Sequence, residues 1–88
     1  MTQKTLNTVA TLNRHFLSMT QGEIKEKIRK IKEDKKLLFL FELNLFSAFA
    51  YKDFFVLICE MNESNWFSII AFSSREDLED FVFNNIDV

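Results

Sequence analysis

The stretch LLFLFELNLFSAFAY, Leu37–Tyr51, is interrupted only by Glu42, Asn44 and Ser47, and its reading decides the fold. A membrane-spanning helix needs about 20 predominantly apolar residues. Polar residues fall inside this run, and Lys52 and Asp53 close it, which argues against a span. Within it the odd positions are Leu37, Phe39, Phe41, Leu43 and Leu45, whereas the even ones include Glu42 and Asn44. That period of two predicts a strand with the odd residues on one face. Residues 46–53 read either as a connection or as a further short strand.

Downstream, FFVLICEM, NESN and WFSIIAF read as a hairpin, because Asn62 and Asn65 tolerate the backbone conformations that a four-residue loop demands. Phe54, Val56 and Ile58 alternate with Phe55, Leu57, Cys59 and Met61. In the partner strand Trp66, Ile70 and Phe72 alternate with Phe67, Ile69 and Ala71. Both faces are apolar, whereas a half-solvated antiparallel sheet alternates apolar with polar residues, so cover is expected on both sides.

Helices flank these strands. Leu6, Val9, Ala10, Asn13, Phe16 and Leu17 follow helical spacing with one polar interruption, Asn13. Thr20-Gln21-Gly22-Glu23 fits a capping box and starts a second helix, read as residues 21–36, with Ile24, Ile28 and Ile31 on one seam. Ser73 or Ser74 followed by Glu76 and Asp77 opens a last helix whose buried stripe is Leu78, Phe81, Val82 and Ile86, with Phe83 off it. The expected fold is α+β in the order α-α-β-β-β-α, with a three- or four-stranded antiparallel sheet packed by helices, as one domain over residues 1–88.

Composition removes several functions. With a single glycine and no proline, neither a Walker A loop nor a dinucleotide-binding fingerprint can be written, and turns needing positive φ fall to Asn or Asp. Eleven Phe among 88 residues make aromatic packing the dominant core contribution. One cysteine, Cys59, forbids an intramolecular disulfide, and the absence of a charged start followed by an apolar stretch and cleavage site leads us to expect a cytoplasmic protein. The Phe- and Lys-rich, Asn-containing composition has a bacterial or phage character.

No catalytic constellation emerges. His15 lacks other ligands at metal-binding spacing, and no acid is placed to orient a His15–Ser18 pair. Glu76, Asp77, Glu79 and Asp80 are explained by the electrostatics of a helix N-terminus. We expect no enzyme, no cofactor and no metal. Residues 1–44 carry nine basic and five acidic side chains, whereas residues 45–88 carry two basic and eight acidic. The segment Met19–Ile28, with Thr20, Gln21, Glu23, Ile24 and Ile28, resembles the opening helix of helix-turn-helix repressors, which implies a turn and a recognition helix to follow; here the Leu37 strand run follows Lys36 instead.

The composition therefore points to a noncatalytic protein-binding module, regulatory or inhibitory, that buries aromatic surface against itself as a homodimer or against a target. Phe46, Phe49 and Tyr51 in the ambiguous connection are the expected anchors, with Trp66 and Phe83 beside them. The alternative is a nucleic-acid binder that uses Lys25, Arg29, Lys32 and Lys36 on the second helix.

Overall fold

The structure, a computed structural model, describes residues 3–85, and Ile86 lies outside them. Its elements are α1 (Gln3–Ser18), α2 (Gln21–Glu33), β1 (Leu38–Leu43), β2 (Phe46–Ala50), β3 (Phe55–Met61), β4 (Trp66–Phe72) and α3 (Arg75–Asn85). The strands form one antiparallel meander in the order β1-β2-β3-β4. The fold is α+β as expected, and residues 46–50 supply the fourth strand.

Asparagine makes the turns. Asn44, between β1 and β2, and Asn65, between β3 and β4, adopt φ of 58° and 54°, the left-handed region that Asn tolerates at low cost. Thr20 and Glu23 close the capping box: the Thr20 hydroxyl accepts from the Glu23 amide, and the Glu23 carboxylate accepts from the Thr20 amide at 2.9 Å. The second helix stops at Glu33 rather than Lys36, with Asp34 as its C-cap. No recognition helix follows, because the chain passes directly into β1. Ser74 starts α3, its hydroxyl accepting from the Asp77 amide.

Two apolar layers sandwich the sheet. On one face Phe16, Ile24, Ile28 and Ile31 of α1 and α2 pack on Phe49, Val56, Ile58, Phe67, Ile69 and Ala71. On the other, Leu78 and Val82 of α3 pack on Phe46, Ala48 and Leu57. The ring of Phe81 ties the second layer together, packing near-perpendicular to Phe46 and tilted against Phe72. In α1 the stripe facing the sheet is Val9, Leu12 and Phe16, continued by Met19 just past its end, while Leu6 and Leu17 are exposed, a correction to the expected face.

A second correction concerns β1. Directly opposed residues of antiparallel strands share a face. Phe39 pairs with Phe49, Phe41 with Ala48 and Leu43 with Phe46, and a bulge lies between Phe39 and Phe41. Phe39 therefore faces the α1/α2 side, whereas Leu40, Phe41 and Leu43 face the α3 side. The bulge moves half of the expected single face to the opposite side of the sheet.

Candidate functional site

A sheet exposes its backbone at its two edge strands, here β4, which side chains cap, and β1, which a bulge interrupts. On β4, Asn13 of α1 grips Ala71: its amide donates to the Ala71 carbonyl at 3.0 Å and its oxygen accepts from the Ala71 amide at 2.7 Å. Gln21 of α2 grips Phe67 in the same way, at 3.1 Å and 2.6 Å. Each side-chain amide stands in for the peptide unit of a missing neighbouring strand. Asn13, an interruption in the apolar spacing of α1, is thereby explained by the sheet edge it caps.

On β1 the bulge is the guard. A second β1 paired about a two-fold axis keeps its faces matched for only a few residues before the bulge opposes Phe39 or Glu42 to a residue of the other face. The bulge disfavours regular edge-to-edge extension through β1, which leaves a face as the better-formed surface for a partner.

The available face is the α3 side. Two helices, α1 and α2, lie on one side of the sheet, but only the short α3 covers the other, packed on β3 and β4. β1 is left as the wall of a groove of about 330 Å³, lined by Phe41, Glu42, Leu43, Glu79, Val82 and Phe83. Phe83 is 63% exposed at its margin, because the turn of α3 that buries Leu78 and Val82 turns Phe83 outward. Leu38, on the same face of β1, is 65% exposed. A second hollow of about 230 Å³ opens on the other flank of α3, between Leu45, Met61, Phe81 and Asn85. Trp66, opposite Met61, is half exposed on this same side of the sheet.

Of the anchors named from sequence, Phe83 and Trp66 lie on this open side. Phe46 and Phe49 are buried in β2, one in each apolar layer, and act as core residues. Tyr51 is half-buried, its ring stacked on Phe54 at 4.6 Å between centroids, and burial pushes its hydroxyl pKa upward. Leu38, Phe41 and Leu43 were missed as surface residues because the bulge that places them carries no glycine or other local mark. Cys59 lies partly buried beside the second hollow, and burial raises its thiol pKa, which lowers its reactivity.

The cations named for nucleic acid are mostly engaged within the protein. Arg29 bridges Glu26 and Glu33, and these carboxylates push its pKa upward. Lys32 pairs with Glu60 of β3, and the Lys25 ammonium sits 5.5 Å from the centre of the Phe67 ring. Among the four, only Lys36 has no such side-chain partner among the described residues. Two carboxylates offset the Arg29 guanidinium, while α2 as a whole keeps five cations against three carboxylates.

The groove is electrostatically the opposite. Across α3, Glu76, Asp77, Glu79 and Asp80 face one cation, Arg75, which is bound to Glu79 at 2.8 Å. Among the described residues no group of three or more His, Cys, Asp or Glu is placed to hold a metal ion, and no helix is long and apolar enough to cross a membrane. His15 is exposed, and its carbonyl accepts from the Ser18 hydroxyl, an ordinary helix-end contact. Searches against protein-family models, curated proteins and solved structures gave no match.

Proposed function

We propose that the protein is a noncatalytic protein-binding module of regulatory or inhibitory type, acting through the apolar groove between β1 and α3. The observation that carries this reading is exposed hydrocarbon beside an apolar groove. Leu38, Leu43 and Phe83 concentrate exposed hydrocarbon on the side that α3 leaves open, where core-like apolar area favours a protein partner.

Self-association through this groove, as composition suggests, sets the acidic α3 of one copy against that of another. Like charges across an interface are costly, so a different protein is the favoured partner. Immobilised wild-type protein and a Leu43→Asp/Phe83→Asp variant, both checked for folding by circular dichroism, are exposed to lysate of the native host. We expect a protein retained by wild type and lost by the variant. Retention of the same proteins by both overturns the reading.

A further inference from the structure

Building on the protein-binding reading, we propose that the groove between β1 and α3 receives an amphipathic helix of another protein, with Lys or Arg flanking its apolar face. Three observations select this occupant. An extended peptide would add to a sheet edge, but the Asn13 and Gln21 amides occupy β4 and the bulge disrupts β1. What remains is a trough walled by a strand and a helix, floored by Val82, with Phe83 and Leu43 at its margins, which accepts a row of side chains from a helix face.

Charge decides the rest. Glu79 lines the trough, and Glu76, Asp77 and Asp80 stand on the same helix with Arg75 as its one cation. Anionic lipid and nucleic acid are repelled by this set, and so is a second acidic α3. A helix bearing cations beside its apolar row gains both contacts.

The test uses fluorescence anisotropy with two labelled designed helices of identical Leu pattern, one with Lys and one with Glu at every polar position. A Lys/Leu peptide of the same composition but scrambled order controls for bulk charge attraction. The Lys helix is expected to bind wild type at least roughly tenfold tighter than the Glu helix and the scrambled peptide. Leu43→Ser/Phe83→Ser should weaken it by about tenfold or more, and Glu76→Lys/Glu79→Lys should shift the preference toward the Glu helix.

Equal binding of ordered and scrambled peptides, or indifference to both double variants, overturns the proposal. Light scattering of the free protein provides the separating arm. A dimer abolished by Leu43→Ser/Phe83→Ser makes a second copy the occupant, which defeats this proposal while leaving the protein-binding reading intact. That reading fails on its own if Leu43→Asp/Phe83→Asp retains the same host proteins as wild type.

Discussion

Asn13 and Gln21 show how much a single polar side chain decides in this molecule. Each satisfies both the amide and the carbonyl of one β4 residue, so truncation leaves two part-buried backbone groups without partners. Asn13→Ala should cost about 1–3 kcal/mol in urea denaturation and increase concentration-dependent aggregation by opening the β4 edge. Glu23 makes a pH-dependent contribution. Its bond to the Thr20 backbone lowers its folded-state pKa below 4.5, so the stabilisation is full above the unfolded value and is lost as pH falls through the folded one. Urea midpoints followed from neutral into acidic pH should fall less steeply for Glu23→Gln than for wild type. The capping box was legible in four residues of sequence because both partners are local. The grip of Asn13 on Ala71 was not, because it spans 58 positions and depends on where α1 docks.

At the scale of elements, periodicity identified β3, β4 and the three helices, since each carries a repeated apolar pattern. It gave the wrong face for part of β1. The bulge between Phe39 and Phe41 changes the side-chain phase without Gly or Pro to announce it, so Phe41 and Leu43 joined the α3 side unseen. The same shift in phase puts Leu43 on the groove wall, opposite Phe46, which packs against Phe81. Within α3 the consequences diverge by position. Leu78 is fully buried, and Leu78→Ala should cost about 2–5 kcal/mol. Phe83→Ser removes an exposed ring and should change folding stability by less than about 1 kcal/mol while weakening partner binding. Denaturation and binding measured on both variants separate the helix's structural face from its adhesive one.

Across the whole molecule, the two signs of charge are sorted to opposite faces of the sheet. The lysine-rich α2 covers the face that is already sealed, and the acidic α3 borders the face that is not. The charge asymmetry was legible by counting residues, but its meaning was not. Only in three dimensions do Arg29 and Lys32 prove engaged by carboxylates, and only there does Glu79 come to line an apolar groove with Phe41 and Leu43. Binding of a basic helix should therefore weaken with added salt yet persist at high ionic strength, because the apolar contribution is unscreened; an isotherm series across salt concentrations checks this. The most direct measurement is a titration of ¹⁵N-labelled protein with the Lys/Leu helix, followed through its amide chemical shifts. The account predicts perturbations concentrated at 41–43 and 79–83, with Ile24, Ile28 and Ile31 unmoved. Shifts centred on α2, or spread evenly over the surface, would contradict it.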